Sequence, residues 1–331
     1  KGPVPHRGTG PFLVGGCAGG VGVMWKSLRV PCPRASGLPG PEGESGASVR
    51  PRRFWPSISR RSCDSLFSPA LVDAASSLSE PLPVFVDNTF ATPYLYRSAE
   101  DGAAVVIESL TKWIGGHGAT LGGAVVDTGR FDWSSTPHKF ATLTDPDPSY
   151  HGVVFADAAP AAPFSTRVLA NKLRDFGPTL SPYAAQLIGI GIETLSLRVE
   201  RHSQNALAVA RFLEGHPKVS WVRYSGLEGD PSHETASRLL HGGFGGALVF
   251  GVKGGREAGL RVVDNVRLFT HLANVGDAKS LIIHPASTTH SQLSAEQLKA
   301  AHLSEDLVRL SVGIENVDDI IADLDQALAA A

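Results

Sequence analysis

The sequence has 331 residues, of which 42% are hydrophobic, so it is long enough to bury the cores of two domains. Its net charge is only -2, but ten of the 30 basic residues and two of the 32 acidic residues lie in the first 63 positions. The rest of the chain therefore holds 20 basic and 30 acidic residues, which argues against a nucleic-acid-binding surface. All three cysteines also lie in those first 63 positions, so disulfides and cysteine-bound metals are excluded from the remainder. This usage is compatible with the reducing cytoplasm, where we expect the protein to reside.

Residues 1–80 have the composition of a segment that does not order itself. Pro and Gly supply 21 of the first 60 residues, and no helical or strand period is sustained. The apolar run Phe12–Trp25 is too short and too rich in glycine to span a membrane. We predict that residues 1–80 are an unstructured segment unrelated to the rest of the chain, and that the protein makes no membrane contact.

Two short apolar runs follow, each with polar residues at its end. Pro83–Asp87 and Ala103–Ile107 are predicted to be buried parallel strands, and Leu95–Asp101 between them is compatible with a crossover helix. The carboxyl ends of parallel strands open onto one crevice, where α/β sheets bind ligands. Asp87, at the end of the first run, and Lys112, just beyond the second, are therefore expected to be neighbours.

The remaining chain predicts the end of this domain and then a second domain. A further strand (Leu121–Asp127), a polar excursion (129–149), a helix (163–177) and a long helix (181–215) complete residues 81–215. In the long helix, Arg198, Glu200 and Arg201 are predicted to form the polar face opposite an apolar stripe. Pro217 marks a boundary, and residues 216–331 alternate between strands and helices as a smaller α+β domain. The predicted elements there are strands 219–224, 246–252, 280–283 and 307–313, and helices 232–240, 256–269, 294–302 and 317–330.

The side chains after the two runs match the needs of pyridoxal 5'-phosphate (PLP). Asp87 could keep the pyridine nitrogen protonated, because an adjacent opposite charge favours the charged form. Lys112 could form a Schiff base with the aldehyde if its surroundings lower its pKa. Ser109 and Thr111 could donate hydrogen bonds to the phosphate, and the glycines of 115–118 allow close backbone approach.

Arg309 and three histidines are further candidates for binding. Arg309 lies between apolar neighbours on a predicted strand, and its guanidinium fork suits a substrate carboxylate. His117, His284 and His290 lack ligand-like neighbours and share no helix face, so we interpret them as structural and predict no metal site.

Several motifs together resemble one known family. They are the Asp-Asn-Thr of 87–89 with Pro93, the Ser-Leu-Thr-Lys of 109–112 followed by Gly-Gly-His-Gly, and the stretches 147–152, 272–281, 284–291 and 309–315. From about Pro83 to the C-terminus, the chain resembles the Cys/Met-metabolism family of PLP-dependent enzymes, and within it the O-acetylhomoserine sulfhydrylases. The resemblance implies an α/β fold, the PLP-dependent transferase fold type I. Family members also have, ahead of Asp87, a phosphate cradle and an aromatic ring that stacks on the cofactor. Neither is recognisable here, so residues 81–215 are expected to be a partial large domain.

The resemblance also implies an activity and a set of site residues. The expected reaction is γ-substitution of O-acetyl-L-homoserine by sulfide or a thiol, giving homocysteine or methionine plus acetate. Lys112 is the implied catalytic residue, and the residues implied to bind cofactor or substrate are Asp87, Ser109, Thr111 and Lys112 for PLP, and Ser280 and Arg309 for the substrate carboxylate. A homodimer or homotetramer is implied. The alternatives are an enzyme of the cystathionine γ-synthase or methionine γ-lyase type, and a catalytically inactive fragment of the family.

Overall fold

The computed structural model describes residues 13–15, 69–301 and 303–331. Its strands are β1 (Leu13–Gly15), β2 (Phe85–Asp87), β3 (Val105–Glu108), β4 (Gly123–Asp127), β5 (Val219–Arg223), β6 (Ala247–Val252), β7 (Thr270–His271), β8 (Leu281–Ile283) and β9 (Leu307–Ser311). Its α-helices are α1 (Pro69–Ser76), α2 (Thr92–Leu95), α3 (Ala141–Thr144), α4 (Phe155–Ala158), α5 (Pro163–Arg167), α6 (Arg174–Phe176), α7 (Pro182–Glu193), α8 (Leu195–Gly215), α9 (His233–Leu239), α10 (Gly255–Asn265), α11 (Ala295–Ala300) and α12 (Val317–Ala329). Short 3-10 turns occupy Trp133–Ser135, Pro137–Lys139, Pro148–Tyr150 and Pro285–Ser287.

The first sheet has the strand order β1-β4-β3-β2 and contains the predicted parallel pair. β2 and β3 are parallel, with Asp87 opposite Ile107, so the expected arrangement of two strand ends at one edge is confirmed. The predicted crossover helix over Leu95–Asp101 is wrong, because α2 ends at Leu95 and turns follow. A side-chain amide accounts for this ending, since Asn88 Nδ2 donates to Tyr96 O and holds that carbonyl outside a helix.

The second sheet has the order β5-β6-β9-β8-β7 and packs on three helices. The alternating strands and helices predicted for residues 216–331 are confirmed, except that α10 ends at Asn265 and the short strand β7 follows it. The main hydrophobic core lies between this sheet and α8, α10 and α12. Its fully buried members include Val209, Leu213, Phe250, Val262, Leu310, Ile320 and Leu324.

The long helix predicted over 181–215 is two helices that meet at Thr194. Ser181 caps α7 by accepting a hydrogen bond from Ala184 N, and Pro182 begins the first turn. The backbone at Thr194 leaves helical geometry, and α8 starts at the next residue. The prediction that Arg198 lies on the polar face is wrong, because its side chain is 4% exposed.

The excursion over 129–149 folds as short helical turns around Trp133. The indole is buried and stacks on Phe164 at a ring separation of 5.7 Å, with Phe85, Phe131 and Phe140 at its edges. The helix predicted over 163–177 is confirmed as one continuous run from α5 to α6, with a π-helical segment at Val168–Leu173 in the middle.

Most of the segment predicted to be unstructured lies outside the described residues. Within it, the structure has β1, which pairs antiparallel with β4, and α1. The expectation that no element precedes residue 81 is therefore wrong for these two. Among the helices of the described residues, none is long and apolar enough to cross a membrane.

Candidate active site

Asp87 ends β2 with its carboxylate exposed at the sheet edge. Its Oδ1 atom accepts hydrogen bonds from Thr89 N at 3.1 Å and from Thr89 Oγ1 at 2.5 Å. The Thr89 hydroxyl in turn accepts a hydrogen bond from Ser109 N at 2.8 Å. This chain of bonds fixes the Asp87 carboxylate relative to the loop that carries Lys112, so the two strand ends are joined through Thr89.

Lys112 lies in a tight turn of residues 109–116, the lysine turn, directly after β3. The turn is closed by backbone bonds from Lys112 N to Ser109 O, at 3.1 Å, and from Gly116 N to Lys112 O, at 2.7 Å. The Lys112 ammonium donates to Asn274 Oδ1 at 2.5 Å. Burial, and then the nearby positive charge of Arg309, lower the pKa of Lys112. Both effects increase the fraction of lysine present as the free, nucleophilic amine.

Arg309 on β9 of the second sheet contacts the same Asn274. Its Nη2 atom donates to Asn274 O at 3.2 Å, and burial lowers the pKa of the guanidinium to about 10, so it remains charged at neutral pH. Among the described residues, no carboxylate lies within 4.0 Å of this guanidinium. A largely buried cation with one carbonyl partner retains donors for an anion, as predicted for a substrate carboxylate.

The sequence analysis did not single out Asn274. Its side chain holds the amine of Lys112 and its backbone carbonyl holds Arg309, so it connects the two candidate residues. Asn274 lies in the stretch 272–281, which contributes to the family resemblance, and this position was the sequence feature that could have identified it. An amide in a loop that contains a glycine and precedes a buried strand is a reasonable candidate for binding.

The hydroxyl groups of Ser109 and Thr111 differ in their availability. Thr111 Oγ1 donates to Gly122 O at 3.2 Å and accepts from Gly122 N at 3.0 Å, which joins the lysine turn to β4. The hydroxyl of Ser109 makes no hydrogen bond within the described residues and is partly exposed. Ser109 is therefore free to bind a phosphate, whereas Thr111 would first have to release Gly122.

Ser280, predicted to contact the substrate carboxylate, lies in the interior instead. It is fully buried, its hydroxyl donates to Glu315 Oε2 at 2.9 Å, and the hydroxyl oxygen accepts from Gly313 N at 2.8 Å. Its backbone N–H also donates to Glu315 Oε1 at 2.7 Å. This arrangement corrects the interpretation of Ser280: it leaves no hydrogen for a ligand, and the serine stabilises the turn after β9.

Glu108, which the sequence analysis did not interpret, is a buried carboxyl near the exposed Asp87. Its Oε1 atom accepts from Asn88 Nδ2 at 2.9 Å, and its buried Oε2 has no hydrogen-bond partner within the described residues. Burial raises the pKa of Glu108 to about 7, and the neighbouring negative charge of Asp87 adds to the shift. The carboxyl is thus close to half-protonated at neutral pH.

The three histidines make contacts of a structural kind. Both ring nitrogens of the buried His284 are bonded, to Ser287 Oγ at 2.9 Å and to Glu305 O at 2.7 Å. His117 Nδ1 lies 2.7 Å from Gly115 O, and His290 Nδ1 lies 2.8 Å from Thr289 Oγ1. The predicted absence of a metal remains a prediction.

The sequence model of the family described as "Cys/Met metabolism PLP-dependent enzyme" matches residues 69–329. The chain belongs to this family. The match begins twelve positions before the boundary at residue 81 expected from the sequence, which places α1 with the family's part of the chain. The family is PLP-dependent, and its fold is the expected PLP-dependent transferase fold type I.

Individual relatives cover the same part of the chain. A protein named sulfhydrylase FUB7 from Fusarium oxysporum f. sp. lycopersici is 51% identical, and the homocysteine synthase of Schizosaccharomyces pombe is 49% identical, each over 76% of this chain and 58% of the relative. A crystal structure from Campylobacter jejuni, described as an O-acetylhomoserine (thiol)-lyase with a pyridoxyl-lysine phosphate, superposes with a TM-score of 0.73 at 40% identity. It covers 79% of this chain and 62% of that one. The chain thus spans somewhat more than half the length of the proteins it resembles.

The side chains at the sheet edge fit PLP. Burial and the charge of Arg309 lower the pKa of Lys112, and the exposed carboxylate of Asp87 is held by Thr89 at the end of the neighbouring strand. Ser109 has an unoccupied hydroxyl, and Arg309 is a cation without a carboxylate partner among the described residues. Together they provide an amine, an anion for the ring nitrogen, a donor for the phosphate and a cation for the substrate.

Proposed function

We propose that the protein catalyses the PLP-dependent γ-substitution of O-acetyl-L-homoserine by sulfide or a thiol, giving homocysteine or methionine plus acetate. The observation that carries the proposal is the contact of Lys112 with Asn274, which also binds Arg309, a cation with no carboxylate within 4.0 Å among the described residues. The names of the relatives, a homocysteine synthase and an O-acetylhomoserine (thiol)-lyase, support the choice of substrate.

Three side chains would hold the cofactor. Lys112 would bind it covalently through Nζ, and Ser109 would donate a hydrogen bond to its phosphate. The Asp87 carboxylate would keep the ring nitrogen protonated, because a fixed negative charge favours the protonated form. When bound, PLP supplies the electron sink that stabilises carbanions at the substrate's α and β carbons, which ordinary side chains cannot do.

Arg309 and Lys112 would then act on the substrate. Arg309 would bind the α-carboxylate through the guanidinium N–H groups that do not donate to Asn274, and this orients the Cα–H bond. Once the substrate amine has displaced Lys112 from the cofactor, its free Nζ would accept a proton from the α carbon and then one from the β carbon while acetate leaves the γ carbon. Lys112 would return both protons after sulfide or the thiol has added to the γ carbon. The lowered pKa of Lys112 suits both transfers, since a base works best when its pKa is near the working pH.

We also propose that the protein functions as a homodimer or homotetramer in the cytoplasm. Large apolar side chains of α7 and the start of α8 are exposed, among them Tyr183 at 70% and Leu197 at 68%. Exposed apolar side chains of this size are typical of subunit interfaces. Light scattering on the purified chain measures the subunit number.

The direct test of the function is to map the cofactor to its lysine. The chain is titrated with PLP, reduced with borohydride and digested, and the modified peptide is identified by mass spectrometry. We expect the adduct at Lys112, and its loss in Lys112→Ala together with a loss of acetate release from O-acetylhomoserine and sulfide of roughly 10²-fold or more.

Lys279→Ala is the matched control, because Lys279 is an exposed lysine on the loop that carries Asn274. This variant should keep both the adduct and the acetate release. An adduct that persists in Lys112→Ala, or that maps to Lys279, would contradict the assignment of Lys112. An adduct at Lys112 without acetate release would restrict the function to cofactor binding.

A further inference from the structure

Arg198, one turn into α8, is a buried cation. Its side chain is 4% exposed, and no carboxylate of residues 69–301 or 303–331 lies within 4.0 Å of it. Burying a charge is costly unless hydrogen bonds replace the water it loses. The position of the guanidinium therefore depends on its hydrogen-bond acceptors.

The acceptors are backbone carbonyls from two separate segments. Nη1 donates to Trp113 O at 2.7 Å and Nη2 to Ile114 O at 3.1 Å, which are one and two residues after the candidate catalytic lysine. Nη2 also donates to Gly191 O at 2.5 Å, and Nε donates to Thr194 Oγ1 at 3.0 Å. The fork thus joins the lysine turn to the break between the two helices.

The helix break creates the need for such a donor. Because the chain leaves helical geometry at Thr194, the Gly191 carbonyl lacks its partner four residues ahead. The rigid, planar guanidinium of Arg198 can reach this carbonyl and both carbonyls of the lysine turn at once, which a lysine ammonium cannot do in the same geometry.

The lysine turn is packed closely against this arginine. Gly116 has φ +69°, in the left-handed region, and a Cβ atom at this position would clash with Arg198 Nη1. Any other residue at Gly116 would thus be strained and would displace the guanidinium.

The opposite side of the turn contacts the loop that binds the amine. Ala278 N donates to Gly116 O at 2.8 Å, and four residues earlier Asn274 accepts the hydrogen bond from Lys112 Nζ. Residues 113–116 are therefore held between Arg198 and the loop of Asn274. Displacement of Arg198 would therefore change both the alignment of the Lys112 amine with Asn274 and the exposure of that amine to water.

We propose that Arg198 is a positioning residue for Lys112, whose amine it keeps aligned with Asn274 and shielded from water by fixing the two carbonyls that follow the lysine. The proposal rests on the proposed function in that Lys112 is the catalytic amine. The effect of Arg198 on the burial of the Lys112 amine can be measured without cofactor or substrate.

The test measures the titration of Lys112 in the cofactor-free full chain. Competitive labelling with acetic anhydride across a pH series, followed by peptide mapping, gives the midpoint for this one amine. In Arg198→Met, water gains access to the lysine turn, so we expect the pKa of Lys112 to rise by about one pH unit, a tenfold loss of free amine below the midpoint. Arg201→Met on the exposed side of the same helix is the matched control and should leave the midpoint unchanged.

Rescue separates positioning from general destabilisation. Methylguanidinium at low millimolar concentration should restore the wild-type midpoint in Arg198→Ala, because it can occupy the vacated space and bond the same carbonyls. If Arg198→Met does not fold, Arg198→Lys is the deciding variant, because it keeps the positive charge but lacks the planar guanidinium. We expect a raised titration midpoint for Lys112 in Arg198→Lys.

A folded Arg198→Met chain with the wild-type midpoint, or an Arg198→Lys chain with it, would overturn the proposal. An equal shift in Arg201→Met would overturn it as well. Failure of Lys112 to form a PLP adduct in the unaltered chain would refute the proposed function alone, because the labelling comparison does not use the cofactor.

Discussion

At the residue scale, the two carboxyl groups at the sheet edge differ in burial and in hydrogen bonding. Asp87 is exposed and bonded to Thr89, whereas Glu108 beside it has one oxygen bonded to Asn88 and one buried without a partner in the described part of the chain. A buried carboxyl in this situation favours its neutral form. Glu108 therefore couples the stability of the fold to pH in the neutral range.

Glu108→Gln should remove this coupling. The pKa of Glu108 is raised from 4.5 to about 7 in the folded chain, so the folded state holds a proton that the unfolded state releases between these values. The free energy of unfolding is therefore highest below pH 4.5 as far as Glu108 is concerned, and it falls by roughly 3 kcal/mol as the pH rises to 7. Above pH 7, Glu108→Gln should be more stable than the unaltered chain by about 1–3 kcal/mol in urea unfolding, since it removes a buried charge.

The exposed Glu234 on α9 provides the control. Glu234→Gln should leave the free energy of unfolding and its pH dependence nearly unchanged, because exposed charges contribute little. A Glu108→Gln chain whose stability still falls between pH 5 and 7 as in the unaltered chain would show that other groups cause the dependence.

At the scale of elements, α7 packs against the lysine turn through a glycine. The Cβ of any larger residue at Gly191 would lie 2.7 Å from Ile114 O and would clash with Gly115 O. Gly189 in the same helix has no atom within 4 Å of its Cβ position. The same element thus contains one glycine required by packing and one that only lowers helix propensity.

Gly191→Ala and Gly189→Ala should therefore change stability in opposite directions. Gly191→Ala should destabilise the chain by about 1–3 kcal/mol through overpacking, despite its better helix propensity. Gly189→Ala should stabilise it by about 0.5–1 kcal/mol, because alanine loses less backbone entropy in a helix. Urea unfolding of both variants checks the sign, and destabilisation by Gly189→Ala would contradict this account of α7.

At the scale of the whole molecule, a small cluster joins the two sheets. Trp113 of the lysine turn is 1% exposed and packs with Leu95 at the end of α2, Val199 of α8 and Val275 in the loop before β8. Trp133 is also large and buried, but its neighbours all lie within residues 85–170. Of these two tryptophans, only Trp113 contacts residues of both 81–215 and 216–331.

Trp113→Ala should uncouple the domains, whereas Trp133→Ala should not. Each substitution should cost about 3–5 kcal/mol by loss of buried area and formation of a cavity. In calorimetry, Trp113→Ala is expected to give two resolved unfolding transitions, and Trp133→Ala one or a selective loss of the large-domain transition. A single, merely shifted transition for Trp113→Ala would argue against the cluster as the link between the domains.

The sequence by itself determined the parallel pair β2 and β3 and most of the elements of residues 216–331. Apolar runs identified β2 and β3, and the polar residues after them, Asp87 and Lys112, lie at one edge because parallel strands align their carboxyl ends. The alternation of strands and helices over 216–331 could also be predicted locally, because hydrophobic periodicity indicates which face of each element is buried.

Only the tertiary structure decided which polar groups are partners. Asn274 contacts Lys112 across 162 residues, and Ser280 is satisfied by Glu315, 35 residues away. Arg198 was predicted to be exposed because it is charged, yet carbonyls of distant segments replace its water. The physical reason is that a buried polar side chain is stabilised by whatever acceptor lies beside it in space, and local periodicity does not contain that information.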